Sequence, residues 1–226
     1  MKNDNVAVGR YTSDGCTQTR FARFTTLITI ARHHNVNLSL LFLLISCCAA
    51  LLQLPAASEW AQWHASAIHQ GEWWRIVTGN FTHTNLVHLS INLAALWAIG
   101  WIFRPSWRET LALMLALSVV IGLSNLFTNM SIYVGLSGVL HGLFSYWALS
   151  EALQGRRSSW LLVTGIIIKV IYELWNGASP QTAQWIEADI ATEAHAFGLL
   201  GGLVLGYITH YHKRYRSVQV KHGLLK

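Results

Sequence analysis

The sequence predicts an all-α membrane protein built around a bundle of six transmembrane helices. Three observations lead to this fold class. Hydrophobic residues make up 53% of the 226-residue chain, and charged residues make up only 12%, about half the share that is ordinary in soluble domains. The apolar residues also lie in runs long enough to cross the hydrocarbon core of a bilayer, which is about 30 Å thick.

Six apolar segments follow one another along the chain. No Asp, Glu, Lys or Arg occurs between Thr110 and Ser150, a stretch too long for one span. The polar sequence TNMSIYVG at 128–135 divides this stretch into two spans. The predicted spans are 38–54, 84–103, 109–127, 137–153, 158–175 and 194–212.

Polar segments rich in basic residues flank and connect these spans. Residues 1–37 are expected to be a disordered tail, residues 38–212 the six-span domain, and residues 213–226 a second basic tail. Both tails and the loops after the second and fourth spans hold most of the 16 basic residues, whereas the opposite loops hold Arg75 and most of the acidic residues. Because loops rich in Lys and Arg stay in the cytoplasm, both termini are predicted to be cytoplasmic.

Four polar side chains at membrane depth form a candidate site near the external face. A polar side chain in lipid is costly unless it faces protein or water, so such residues indicate function. His88 and Asn92 lie one helical turn apart on the second span, Ser137 begins the fourth span, and His195 begins the sixth. Three spans that are not adjacent in sequence therefore present polar groups at a similar depth.

These residue types fit acyl-transfer chemistry. A serine becomes a nucleophile when a base takes its proton, and histidine is the usual base, which gives Ser137 and His195 these roles. Donors must also stabilise the developing oxyanion, and the candidates are Asn92, His88 and the Ser137 N–H. The acid that usually orients such a histidine is not assigned.

Glycines predict that the fourth and sixth spans pack closely. They recur every four residues from Gly198 to Gly206 in the sixth span, and Gly138 and Gly142 give the fourth span a matching small face. Such small-residue faces let two membrane helices approach closely. This contact would bring the histidine of the sixth span toward the serine of the fourth.

Four short motifs occur in a fixed order along residues 38–212: Trp74-Arg75, His88 with Asn92, Gly135–Gly138 as GLSG, and His195 with Gly198 and Gly202. In this order they resemble the motifs of the rhomboid intramembrane serine proteases. The resemblance implies a six-helix bundle in which Ser137 is the nucleophile, His195 is the general base, and Asn92 and His88 stabilise the oxyanion. It also implies an endopeptidase that acts on membrane-anchored proteins and requires no metal or cofactor.

One position departs from the pattern of many rhomboids. They have tyrosine four residues after the serine, whereas this chain has His141, which is interpreted as a packing residue rather than a second base. The form GLSGVLHG, with GEWWRIVTGNFTH, most resembles the rhombosortase branch of bacterial rhomboids. That branch implies exported substrates with a C-terminal Gly-Gly motif, a membrane span and a basic end. It also implies a bacterial inner-membrane location with the active site facing the periplasm.

Other polar and aromatic residues have simpler interpretations. Lys169 and Glu173 lie four residues apart on the fifth span, which predicts a local ion pair, with recognition of substrate or of a lipid headgroup as the alternative. Most tryptophans fall near span boundaries, where membrane proteins place them at the interface: Trp60, Trp63, Trp73, Trp74, Trp101, Trp107, Trp175 and Trp185.

Other classes of function fit the sequence less well. The basic residues flank apolar segments and are not interleaved with stacking aromatics, so the expected partners are the lipid bilayer and a membrane-anchored substrate, not nucleic acid. A zinc protease is disfavoured because the chain has no H-E-x-x-H and no acid at the depth of the histidines. A catalytically inactive rhomboid-like binding protein, a rhomboid with other substrates and a small transporter stay open as alternatives. The oligomeric state is not predicted.

Overall fold

The computed structural model of the chain describes residues 36–223 and is mostly helical. In chain order its helices are α1 (Val36–Leu51, the described part), α2 (Pro55–Ala61), α3 (Ala65–His69), α4 (Arg75–Thr78), α5 (Leu86–Phe103), α6 (Trp107–Ser124), α7 (Ser137–Leu153), α8 (Ser159–Asn176), α9 (Pro180–Ile186) and α10 (Thr192–Gly223). Strands β1 (Trp63–His64) and β2 (Ile132–Tyr133) pair antiparallel, and 3₁₀ turns lie at Gly79–Phe81 and Asn125–Phe127. The predicted disordered tail, 1–37, lies almost wholly outside the described residues.

The long helices α1, α5, α6, α7, α8 and α10 each overlap one predicted span. By length and apolar composition, α5, α6 with its 3₁₀ extension, and α8 are able to cross a bilayer. Helices α1 and α2, bent by 106° at the break between them, make a fourth candidate if they form one span. Within residues 36–223, these criteria therefore identify three or four of the six predicted spans.

Two of the long helices fall outside these criteria, α7 and α10, and they carry the candidate serine and histidine. Helix α7 has 17 residues, and most of its side chains are buried by the surrounding helices. Helix α10 begins with polar residues and continues to Gly223, so most of the predicted C-terminal tail is helical. Helix α7 therefore depends on contacts with protein more than on contacts with lipid.

Among the helices of residues 36–223, α7 and α10 pack most closely, as the glycine pattern predicts. A Cβ atom added to Gly198 would lie 1.9 Å from the Gly138 carbonyl oxygen, and one added to Gly202 would lie 2.1 Å from the Gly142 oxygen. Only glycine allows backbones to come this near. The contact fixes the start of α10 beside the start of α7.

The connection between α1 and α5 is folded and partly inserted into the core. Trp63 of β1 is fully buried, and its Nε1 donates to the Gly122 carbonyl oxygen at 2.9 Å. The expectation that Trp63 lies at a membrane interface is therefore wrong, because pairing of β1 with β2 carries this ring against α6. Several other tryptophans are exposed on the outside of the fold: Trp60, Trp73, Trp74, Trp101, Trp175 and Trp185.

Arg75, from the Trp-Arg motif, holds this connection together. Its guanidinium is nearly buried, and Nη1 donates to Glu59 O at 2.7 Å and to Gln62 O at 2.8 Å. Its Nε donates to the Glu72 carboxylate. One side chain therefore joins α2 and the segment before β1 to the start of α4.

Replacement of Arg75 by alanine is expected to lower the free energy of unfolding by about 3 kcal/mol, because two inward-facing carbonyls lose a charged donor. Unfolding in detergent micelles measures this loss. The matched control is Glu72→Gln, which leaves both carbonyl bonds in place and should cost less than about 1 kcal/mol because Glu72 is partly exposed. Equal losses in the two variants would contradict the role assigned to the carbonyl bonds.

Candidate active site

Ser137 is the first residue of α7 and follows a sharp turn at Gly135. The φ angle of Gly135 is +120°, which disfavours residues with a side chain, and an added Cβ would lie 2.8 Å from the His88 ring. The buried Tyr133 hydroxyl donates to the Gly135 carbonyl oxygen at 2.8 Å and holds the turn. As the first helical residue, Ser137 has a backbone N–H that no carbonyl of its own helix accepts.

His195 lies one turn into α10 and contacts the serine directly. Its Nε2 is 2.9 Å from Ser137 Oγ, a hydrogen-bond distance, and the imidazole is almost fully buried while the serine is half-buried. The α7–α10 glycine contact begins three residues later, at Gly198, so the helix packing sets this distance. The structure thus brings together the two residues that the motifs single out.

Glu173 is a residue of the site that the sequence interpretation missed. Its Oε2 is 3.0 Å from His195 Nδ1, and its Oε1 is 2.7 Å from Lys169 Nζ. The predicted pair with Lys169 is present, and the contact with His195 is an additional one that the i, i+4 spacing did not predict. The signal was an acid within an apolar span, since such a residue is costly without protein partners.

His141 packs on the candidate base. The His141 and His195 rings are stacked, with centroids 4.1 Å apart and an interplanar angle of 18°. His141 Nδ1 donates to the Ser137 carbonyl oxygen at 2.7 Å, and Nε2 lies 3.0 Å from Lys169 Nζ. Because both nitrogens have these partners and neither faces Ser137 Oγ, the geometry favours the packing role over that of a second base.

Asn92 and His88 face the same region from α5. The Asn92 amide nitrogen is buried and has no hydrogen-bond partner within the described residues, which leaves a donor free for a ligand. The Thr84 hydroxyl donates to Ile186 O, so its oxygen accepts from His88 Nδ1 at 3.1 Å. With its proton on Nδ1, a neutral His88 has no proton on Nε2 and donates there only when the ring is charged.

His83 supports the His88 ring from the side. The two rings meet edge to face, with centroids 5.0 Å apart. Burial, together with the neighbouring His88, lowers the pKa of His83 to about 3. His83 is therefore neutral at physiological pH and acts in the structure as a packing residue.

One cavity of about 430 Å³ is lined by the polar side chains of the site, but not by His83: His88, Asn92, Ser137, His141, Lys169, Glu173 and His195. Ser137 and His195 meet in this cavity, and apolar side chains of α5, α7 and α9 form part of its lining. Asn85 and Thr84, at the start of α5, bond to carbonyls at the end of α9 and hold that short helix over the cavity. A cavity of this kind is large enough for a few residues of an extended peptide.

Three side chains of the site carry atoms of the kind that bind metal ions. Potential ligand atoms of His141, Glu173 and His195 lie within 4.8 Å of one another. The sequence argument that no acid lies at the depth of the histidines is therefore wrong. However, Lys169 Nζ already contacts His141 Nε2 and Glu173 Oε1, and its positive charge would repel a cation. The arrangement favours a hydrogen-bonded network over a metal centre.

The apolar helices and this site define an integral membrane protein with a serine–histidine pair between its helices. Residues 70–212 match the family model described as the Rhomboid domain, and the chain therefore belongs to the rhomboid family, a family of intramembrane serine proteases. It is also similar to the rhomboid protease GluP of Bacillus subtilis (strain 168), with 49% identity over 35 residues. That match covers 16% of this chain and only 7% of GluP.

Proposed function

We propose that this protein is an intramembrane serine endopeptidase that cleaves membrane-anchored proteins. The observation that carries the proposal is the 2.9 Å contact between Ser137 Oγ and His195 Nε2. The same cavity holds the Asn92 amide nitrogen, which has no hydrogen-bond partner in the part of the chain that the structure describes. Nucleophile, base and oxyanion donor are thus within one site, as acyl transfer requires. Membership of the rhomboid family supports the same reaction.

The reaction begins when Ser137 Oγ attacks the carbonyl carbon and His195 Nε2 takes the serine proton. The Asn92 amide and the Ser137 N–H stabilise the oxyanion, and the partial positive charge at the start of α7 adds to their effect. His88 adds a further donor when its ring is protonated. The proton then passes from His195 to the leaving amine. In the second half of the reaction, water attacks the acyl carbon and releases the acyl group from Ser137.

The six long helices are proposed to cross a bacterial inner membrane, with both termini in the cytoplasm. The basic residues of the loops support this orientation. Lys213 of α10 lies 3.5 Å from Glu109 at the start of α6, so the end of the sixth span lies beside Arg108 of α6 and the short loop that contains Arg104. The active site then opens toward the periplasm.

The proposed substrates are exported proteins with a C-terminal Gly-Gly motif, a membrane span and a basic end, the type associated with rhombosortases. The GLSGVLHG sequence supports this assignment, since His141 stacks on His195 where many rhomboids have tyrosine. The test compares a carrier protein with this tail, the same tail with Ala-Ala in place of Gly-Gly, and an unrelated rhomboid substrate. Cleavage of the first alone is expected, and equal cleavage of all three would favour a rhomboid with other substrates.

The peptidase assignment itself is tested by treating the detergent-purified protein with a fluorescent fluorophosphonate and locating the adduct by mass spectrometry. A single adduct on Ser137 is expected, because this reagent reacts with activated serines. The absence of an adduct, with folding confirmed and a rhomboid control labelled, would favour the catalytically inactive binding protein. Ion flux through proteoliposomes would favour a transporter.

Asn92→Ala is expected to lower kcat by about 10²- to 10³-fold, with little effect on KM, because this donor acts mainly on the transition state. The comparison is His88→Ala, for which a smaller loss in kcat is expected near neutral pH, since the proton of the neutral ring is used at Thr84. Steady-state cleavage of the Gly-Gly substrate measures both. A larger loss in the His88 variant would show that the oxyanion binds mainly to that ring.

A further inference from the structure

Glu173 links the candidate base to a cation on its own helix. Its side chain is 14% exposed, and its two oxygens have different partners: Oε1 accepts from Lys169 Nζ at 2.7 Å, and Oε2 accepts from His195 Nδ1 at 3.0 Å. A carboxylate this deep is costly unless it is paired, and Lys169 supplies the compensating charge. The pairing therefore allows an ionised acid to stay beside His195.

We propose that Glu173 is a positioning residue for the peptidase reaction, so that the site works as a Ser137–His195–Glu173 triad rather than as a serine–histidine pair. This inference rests on the function proposed above. A carboxylate only accepts hydrogen bonds, so His195 Nδ1 must carry the proton in this contact. The lone pair of the neutral ring is then on Nε2, which faces Ser137 Oγ.

The contribution of Glu173 is greatest after the proton has moved. As the bond between Ser137 Oγ and the carbonyl carbon forms, the serine proton passes to His195 Nε2 and the ring becomes an imidazolium. The carboxylate stabilises this charge and does not itself take a proton. When the C–N bond breaks, the proton passes from Nε2 to the leaving amine, and the ring is neutral again.

The surrounding contacts hold both members of this pair in place. Lys169 binds the second oxygen of Glu173 and also contacts His141, whose ring is stacked on His195. The His141 ring is fixed at its other nitrogen by the Ser137 carbonyl oxygen. These contacts form a closed circuit of hydrogen bonds and stacked rings, which leaves the His195 ring little freedom to rotate.

The test is a series of substitutions at Glu173 in the full-length protein, assayed by cleavage of the Gly-Gly substrate. Glu173→Gln keeps the size of the side chain and removes its charge, and it is expected to lower kcat by about 10²- to 10⁴-fold with KM almost unchanged. Glu173→Asp keeps the charge on a shorter side chain, and its kcat is expected to be at least about tenfold higher than that of Glu173→Gln.

The matched control is Glu193→Gln, which makes the same change two residues before His195 on an exposed side chain whose contact is with Thr192. Its kcat should stay within about twofold of the parent value. If Glu173→Gln is as active as the parent, or if Glu173→Asp is the poorer of the two, then Glu173 only braces α8 against α10 and the inference is overturned. If the parent protein neither cleaves the Gly-Gly substrate nor reacts with fluorophosphonate, the proposed function is contradicted. The inference about Glu173 rests on that function and is then contradicted as well.

Discussion

Alanine at Ser137 or at His195 is expected to lower kcat for tail cleavage by about 10⁴- to 10⁶-fold, to the level of residual catalysis by the rest of the site. The serine supplies the only oxygen within hydrogen-bond distance of His195 Nε2 among the described residues. Without the histidine, no other ring nitrogen in this part of the chain contacts Ser137 Oγ, because both His141 nitrogens have other partners. Single-turnover cleavage in detergent or in proteoliposomes measures both losses.

Because the two residues act on the same proton, their effects should not add. The double variant Ser137→Ala/His195→Ala is expected to be about as slow as the slower single variant. The matched controls are Ser90→Ala, whose hydroxyl bonds to the Leu86 carbonyl of its own helix, and His69→Ala, which is exposed. Additive losses, or more than about 1% residual activity in the serine variant, would mean that another group is the nucleophile.

The positions of the long helices and of the serine–histidine pair are visible in the sequence for physical reasons. A membrane helix needs a long apolar run, so the apolar segments mark α5 to α8 to within a few residues, whereas α10 continues to Gly223, well past its predicted end at 212. Polar residues at membrane depth are rare, which makes Ser137 and His195 conspicuous against the apolar residues around them. The glycine spacing predicts which helices meet, because backbones this close exclude any side chain.

The partner of His195 could not be identified in the same way. The i, i+4 rule relates Glu173 to Lys169 because both lie on one helix, but a carboxylate has two oxygens and the second is free to bind a group on another helix. Whether Glu173 faces α10 depends on the rotation of α8 within the bundle, which local spacing does not fix. Trp63 shows the same limit, since its burial follows from the pairing of β1 with a strand in which its partner, Tyr133, lies seventy residues away.

Gly198→Ala is expected to lower kcat/KM by at least about 10²-fold and to destabilise the fold by about 3 kcal/mol. Its Cβ would lie 1.9 Å from the Gly138 carbonyl oxygen, and because this neighbour is backbone, the whole of α10 must move away from α7. His195 lies one turn before this point, and a displacement of about 1 Å at a reacting group is enough for a loss of this size.

The control for this prediction is Gly165→Ala on α8, where an added Cβ meets nothing within 4 Å. Alanine is the better helix former, so this variant should be as stable as the parent or up to about 1 kcal/mol more stable, with unchanged kcat/KM. Unfolding in mixed micelles and steady-state cleavage compare the two variants directly.

Normal activity in Gly198→Ala would mean that α10 approaches α7 less closely than the contact at Gly138 indicates. An inactive but stable Gly198 variant would separate the two effects, since it would show that the contact positions His195 without contributing much to the stability of the bundle.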